Sequence, residues 1–257
     1  MTFALHVDAD AWRKHLDATT KSLHKVGVRV VPVIKGNGYG FGRTVLAREV
    51  GRMGMDTIAV GTVYELEQAL ADFPGTCVVL EPFLPTDRYA VDVWRRVLRL
   101  HTDRVVVTIA GPDLHAANGA GATRARLEAA TSMHRFGASP QELDQTLRGT
   151  SHGVRVEGLV IHLPIAQPQL RNTAALESPG HAGKASGWLS EALAWAHTWS
   201  PLAKEYGLPA HISVSHMTTQ DAQALATIAG ISVDMRIGTH QSDNCATTRY
   251  CHSARSE

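Results

Sequence analysis

A lysine that closes an apolar run and opens a glycine-rich turn is placed to do chemistry. In Val33-Ile-Lys-Gly-Asn-Gly-Tyr-Gly-Phe-Gly42, Lys35 follows the apolar residues 30–34, so its amine emerges where a buried strand stops. At the rim of a low-dielectric cavity, a lysine gives up its proton more readily and can attack an aldehyde to form a Schiff base. The glycines beyond it permit positive φ angles and close approach of the backbone to a ligand. Two plainer readings stay open on this segment alone: a surface lysine before a flexible turn, or a glycine-rich nucleotide loop.

Other reactive side chains also fall just after apolar runs. They are Thr131-Ser-Met-His-Arg-Phe-Gly137, His162, Ser215-His216 and Asp234-Met-Arg-Ile-Gly-Thr239. The Ser215 hydroxyl, with the backbone N–H groups of Gly238 and Thr239, has the chemistry to hold a phosphate, and Arg236 has the chemistry to bond a pyridine nitrogen. Singly, a histidine is more often a rim or core residue and an arginine a solvated ion-pair partner. Their gathering at strand ends is what gives them joint meaning.

The elements that must position them are short Val/Ile/Leu-rich runs at residues 28–34, 57–61, 76–80, 104–109, 125–129, 156–162, 211–215 and 232–237. Their non-alternating character suits strands buried on both faces, as in a parallel sheet. Amphipathic stretches at 10–24, 44–53, 63–72, 86–99, 139–148, 184–206 and 218–229 predict helices before and between them. Ser139-Pro140 reads as an N-cap followed by a first-turn proline, and Gly207-Leu-Pro209 as a helix stop. Eight strands alternating with helices predict an α/β fold, a (β/α)8 TIM-type barrel, over a doubly wound open sheet. Residues 163–182 have little helical pattern, and so long an irregular connection in a compact domain is usually functional or mobile.

Composition narrows the partners. The chain has 257 residues with 25 Lys+Arg against 24 Asp+Glu, a balance that gives no electrostatic reason to expect nucleic acid or an acidic membrane. Hydrophobic residues at 44% supply a sizeable core, while no apolar stretch approaches the roughly 20 residues that span a bilayer. Cys77, Cys245 and Cys251 are too few and scattered for a disulfide framework, and Met1–Asp8 lacks the pattern of a signal peptide. The expectation is a soluble, cytoplasmic protein.

The Lys35 segment resembles the pyridoxal-phosphate lysine motif of alanine racemases, V-V-K-A-x-A-Y-G-H-G. Residues 4–12 resemble that family's opening strand and first helix, and residues 58–69 its second-strand segment. Thr131-Ser-Met-His-Arg-Phe-Gly137 is similar to T-G-M-x-R-x-G, Val156-Glu-Gly-Leu-Val-Ile-His162 to E-G-L-x-T-H, and Met235-Arg-Ile-Gly-Thr239 to the R-P-G phosphate turn. The resemblance implies a pyridoxal 5'-phosphate-binding barrel over residues 1–239 acting as an amino-acid racemase. Lys35 would hold the cofactor as an internal aldimine and abstract the Cα proton of a small amino acid such as alanine. It further implies that Tyr39, His162, Ser215, Arg236, Gly238 and Thr239 bind the cofactor. His162 would lie against the pyridine ring and bond Arg236, which keeps the ring nitrogen unprotonated. Arg135 would contact the substrate carboxylate, and Glu128, where relatives often have a carbamylated lysine, would orient Arg135.

The chain also departs from the pattern. Val214 stands in place of an Asn beside Ser215, and Phe41 in place of a His. Family racemases continue into a β-domain that supplies a tyrosine to the opposing subunit, so the second catalytic base has no evident source here. Residues 240–257 read as an irregular tail, expected to mark a truncated or frameshifted end. In it Cys245, Cys251 and His252 make a poor zinc site, and no metal is expected. The alternative function is therefore a non-catalytic pyridoxal-phosphate carrier. A homodimer is compatible with the resemblance, and which amino acid is used cannot be read.

Overall fold

A computed structural model describes residues 8–148, 153–164, 187–228 and 230–238. Among them, eight parallel strands run as β1 (Val28–Pro32), β2 (Thr57–Val60), β3 (Thr76–Pro82), β4 (Val105–Ile109), β5 (Arg124–Glu128), β6 (Arg155–His162), β7 (His211–Ser215) and β8 (Ser232–Ile237). The helices are α1 (Ala9–Lys25) before β1, then α2 (Arg43–Arg52), α3 (Leu66–Asp72), α4 (Arg88–His101), α5 (Leu114–Gly119), α6 (Pro140–Arg148), α7 (Gly187–Glu205) and α8 (Thr219–Ala226), one after each of the first seven strands. The sheet order β1-β8-β7-β6-β5-β4-β3-β2 leaves one seam, between β1 and β2. There a single bridge, Val33 to Ala59, brings the edges together, and the Ile34 N–H donates to the Ala59 carbonyl at 2.8 Å. The architecture is the expected (β/α)8 barrel, nearly closed.

Each strand follows the expected run to within two residues. The third helix is entered through a 3-10 turn, Val63–Glu65, and α6 begins with the expected Ser139 cap. The Glu142 N–H donates to Ser139 Oγ at 3.3 Å, and the Glu142 carboxylate accepts from the Ser139 N–H at 2.7 Å, a reciprocal capping box. One element was not expected. Helix α5 has only six residues, too few to show a period. Most of the 163–182 connection and the 240–257 tail lie outside the described residues, as does the start of the opening segment. No helix among the described residues is long and apolar enough to cross a membrane.

The outer faces of the strands and the inner faces of the helices make the main core, which includes Trp94, Trp199, Phe73, Leu98, Leu127 and Leu159. Inside the barrel the two halves differ. Val31, Val33, Ala59, Val78 and Val106 form an apolar cluster on β1–β4. On β5, β7 and β8 the buried residues include Arg126, Glu128, His211, Ser213, Ser215, Asp234 and Arg236. These alternate along their strands, as one face of a period-two element must.

Gly158 shows how the sequence sets this interior. The register between β5 and β6 slips, with Ala125 opposite Val156 and Leu127 opposite Leu159, so β6 carries one extra residue. The bulge lets the Glu157 carboxylate meet Arg124, at 2.7 Å from Nε and 3.2 Å from Nη2. Gly158 itself has φ +147°, and a Cβ there would lie 2.5 Å from the His211 carbonyl oxygen and 2.9 Å from the His211 Cβ. Both the backbone angle and the space demand glycine. Gly158→Ala is expected to destabilise the fold by about 2 kcal/mol or more. A urea midpoint unchanged from the parent would contradict this account of the bulge.

Candidate functional site

Two ends of the barrel hold polar groups, and their chemistry differs. At the N-terminal ends of the strands a cavity of about 330 Å³ is lined by Arg29, Asp56, Arg124, Arg126, Glu157 and His211, among others. Most of its charges are spent on one another. Arg124 is paired with Glu157, while Arg126 Nη1 and His211 Nε2 lie 3.1 Å and 2.8 Å from the same oxygen of Asp234. The potential reactants gather at the opposite end.

At the C-terminal ends, Lys35 is exposed immediately beyond the buried Ile34. The turn after it is internally bonded: the Gly40 N–H donates to Asn37 Oδ1 at 3.0 Å and the Gly42 N–H to the Asn37 carbonyl at 2.9 Å. Gly38 is required there, because a Cβ would fall 2.7 Å from the Gly42 carbonyl carbon. Tyr39 is held at φ +56°, a conformation non-glycine residues seldom adopt. The turn thereby lays the phenol over Gly238, where the tyrosyl oxygen would sit 2.4 Å from any Cβ at that position. Burial, then the nearby Glu65 carboxylate, raises the Tyr39 hydroxyl above its ordinary pKa, so it stays a donor. Phe41 stacks on Trp12 of α1, with ring centroids 5.4 Å apart.

Beside Gly238 lies Ser215, 4% exposed, whose Oγ is buried with no hydrogen-bond partner. Arg236 is equally buried; its Nη2 donates to the Ile161 carbonyl at 2.8 Å, while its Nε has no partner. That bond falls one residue short of the His162 imidazole expected to receive it. Burial pushes the Arg236 guanidinium down to about 10, which leaves it a cation at neutral pH. The first charge that opposes this shift is Glu128. Glu128 is itself buried, its pKa raised by that burial against the pull of Arg236 first and Arg135 second. The described residues include no ion pair within 4 Å between Glu128 and either arginine.

Arg135 reaches the same mouth on the loop after β5, its guanidinium carbon 5.0 Å from the centre of the Phe136 ring. The loop is pinned on both sides. Thr131 Oγ1 donates to the His162 carbonyl at 2.6 Å, and Glu191 of α7 accepts from the Ser132 N–H and Oγ at 2.6 and 2.7 Å. Thr239 lies outside the described residues.

Three residues of the site went unassigned in the sequence. Glu191 is one; its signal is only a helical acid, and its role appears when α7 folds against the loop. Glu65 is another, accepting from the Gly36 N–H at 2.9 Å and the Gly61 N–H at 2.7 Å. The third is His216, whose ring meets that of His162 edge-on at 5.2 Å. The His216 Nδ1 bonds the Leu163 carbonyl, which can only accept, so Nδ1 carries the proton and Nε2 of the neutral ring does not. Its adjacency to Ser215 was visible, but its backbone at φ +62° was not.

The model of the alanine racemase N-terminal domain matches residues 7–227. The chain belongs to the alanine racemase family. Solved relatives agree in fold at low identity. Alanine racemase from Clostridium difficile 630, in complex with cycloserine, is 12% identical with a TM-score of 0.59, the match covering 88% of this chain and 58% of that one. Alanine racemase from a D-cycloserine-producing Streptomyces lavendulae is 20% identical with a TM-score of 0.57, covering 87% and 56%. A histidine racemase from Leuconostoc mesenteroides subsp. sake is 17% identical with a TM-score of 0.50, covering 63% and 43%. No curated protein matches. The chain thus spans little more than half the length of the alanine racemases it matches. Of the departures from the racemase pattern, Val214 is fully buried in the core and Phe41 is the partner of Trp12.

The His162 imidazole is held down to about 3, first by burial and then by the positive charge of Arg236. Burial shifts His216 in the same direction. A depressed histidine pKa means that the unfolded chain takes up a proton the folded chain refuses, so stability falls as pH drops below about 6.5. His162→Gln is expected to flatten that decline between about pH 6.5 and pH 5 by up to about one proton. Equal slopes for the two proteins in urea titrations across this window would refute a neutral, buried His162.

Proposed function

We propose that this chain binds pyridoxal 5'-phosphate at the C-terminal mouth of its barrel and removes the Cα proton of a small amino acid, such as alanine, in the manner of a racemase. The observation that supports it best is a matched set of unspent donors: Ser215 Oγ and Arg236 Nε are buried without partners, on the strands that flank the mouth bearing Lys35. Such groups are costly unless a ligand satisfies them. The donor chemistry fits the cofactor. Ser215 Oγ, the Tyr39 hydroxyl, and the backbone N–H groups of Gly238 and Thr239 would hold the phosphate. Arg236 Nε would donate to the pyridine nitrogen.

When bound, the cofactor supplies an aldehyde for Lys35 and an electron sink that weakens the Cα–H bond. The rest belongs to the chain. Arg236 is a permanent cation, and opposite a ring nitrogen it disfavours protonation there. That limits the electron sink and suits brief deprotonation over deeper carbanion chemistry. His162, kept neutral, adds no further charge beside the ring. Arg135, exposed at the mouth, would receive a substrate carboxylate. Lys35 would take the Cα proton, and Glu128 steadies the guanidinium charges behind it. On this reading the chain would act as a cytoplasmic isomerase of D-amino acid metabolism, with a free amino acid as its partner.

The first test is an absorbance spectrum with added pyridoxal phosphate. Wild-type protein should develop a band near about 420 nm that borohydride removes, and folded Lys35→Ala should not. A band unchanged in that variant would overturn the lysine assignment. Proton exchange at Cα of D- and L-alanine in deuterated water then separates an enzyme from a carrier, and Lys35→Ala should slow it by at least about a hundredfold.

A further inference from the structure

Resting on that reading, the geometry points to Glu65 as the positioning residue for Lys35: its carboxylate supplies the rung of hydrogen bonds that the β1–β2 seam lacks on either side of the lysine's exit. In a parallel ladder, N–H groups of alternate residues bond carbonyls of the neighbouring strand. The Ile34 N–H does so with Ala59 at 2.8 Å. Continued one rung further, the ladder would send the Gly36 N–H to the Gly61 carbonyl and the Gly61 N–H back to the Ile34 carbonyl. Neither bond forms. The Gly61 carbonyl is taken by the Glu81 N–H of β3 at 2.9 Å. Between the two loops sits the carboxylate, one oxygen accepting from Gly36 at 2.9 Å and the other from Gly61 at 2.7 Å.

Several features converge on this single carboxylate. It is mostly buried, its side chain 15% exposed, and Arg43 Nη1 lies 3.8 Å from one oxygen. It leaves a 3-10 turn whose third residue is Glu65, so its backbone is fixed by α3. Gly61 completes the fit: a Cβ there would lie 3.1 Å from the Lys35 Cβ and 3.3 Å from both Glu65 oxygens. The lysine stem, the bare glycine and the carboxylate therefore pack as one unit. Glu65 holds the backbone just after Lys35 and that of the neighbouring Gly61, and acts through the lysine. Without that brace, the residues just past Ile34 keep only the bonds of the glycine turn, and the direction of the lysine stem is no longer set by β2.

The variants Glu65→Gln and Glu65→Ala test this, with Glu67→Ala as control, since Glu67 on the same segment is 59% exposed and pairs with Arg96 among the described residues. In Glu65→Ala, amide exchange at Gly36 and Gly61 should speed by about tenfold or more, with other β1 and β2 amides little changed. Glu65→Gln keeps one acceptor and sets an NH2 group against the other glycine, so it should speed exchange at one glycine only. Pyridoxal phosphate affinity, read from the absorbance band, should fall in the same order, and Glu67→Ala should match wild type in both readings. Unchanged exchange at both glycines in Glu65→Ala would overturn the brace. Should that variant not fold, unchanged exchange in Glu65→Gln would do the same. Faster exchange with undiminished cofactor affinity would overturn the positioning of Lys35. If wild-type protein develops no band, the cofactor reading has failed. Lys35 acetylation rates in the variants, relative to the other lysines, then decide the positioning alone: a selective change supports it, and none refutes it.

Discussion

In this barrel β1 and β2 meet without the full ladder that joins every other neighbouring pair. Seven strand pairs are laddered, two of them with a shift of register, and the eighth contact, β1 with β2, reduces to one bridge. The strand that ends in Lys35 is thus firmly tied on its β8 side, from Val28 to Pro32, and thinly on the other. That asymmetry allows the chain to leave β1 as a tight glycine turn instead of continuing as strand. The turn in turn delivers the Tyr39 phenol to Gly238, at the end of the neighbouring strand β8. The placement of Lys35 and of the Tyr39 phenol follows from one incomplete seam.

The interior is arranged to keep charge where no water covers it. Asp234 is 1% exposed and is held ionised, below the usual carboxylate range, by Arg126 and His211 against the cost of burial. Two residues further along β8, Arg236 is buried under the electrostatic influence of Glu128 but makes no ion pair with it within 4 Å. Removing one member of such a set costs about 3–5 kcal/mol, because its partner is left buried and alone. The arrangement is therefore a poor source of net stability. Its effect is to fix the position of a cation, Arg236, whose Nε is buried without a hydrogen-bond partner. The apolar half of the barrel, Val31 to Val106, lets the other wall pack tightly around this charged one.

What could be read from the sequence follows from which signals are local. Strands buried on both faces announce themselves as unbroken apolar runs, so the strands and the residues at their ends were legible, and with them Lys35, Ser215 and Arg236. Helix α5 was not, since six residues give less than two turns of pattern. Gly158 was visible within a motif, but its bulge depends on the His211 backbone of a distant strand. Glu65 and Glu191 look like ordinary helical acids, and their value lies in loops far away in sequence. The bond expected from Arg236 to His162 goes to the Ile161 carbonyl, a matter of one residue's pleat that periodicity cannot resolve.

The two carboxylates that escaped the sequence act alike, and this says something about how the mouth is built. Glu65 and Glu191 each use both oxygens to take up donors of a loop that follows a strand. A loop at the open end of a barrel has backbone N–H groups with no ladder to receive them, and water would satisfy them without fixing them. A carboxylate satisfies two such donors and, being anchored on a helix, fixes the loop to the scaffold. The loops so held are the ones that bear Lys35 and Arg135. Glu65 and Glu191 are accordingly committed to the loops they hold, which leaves Lys35 and Arg135 as exposed basic groups at this mouth. A phosphate and a carboxylate, the groups that Ser215 and Arg135 are suited to receive, are what such a mouth would attract.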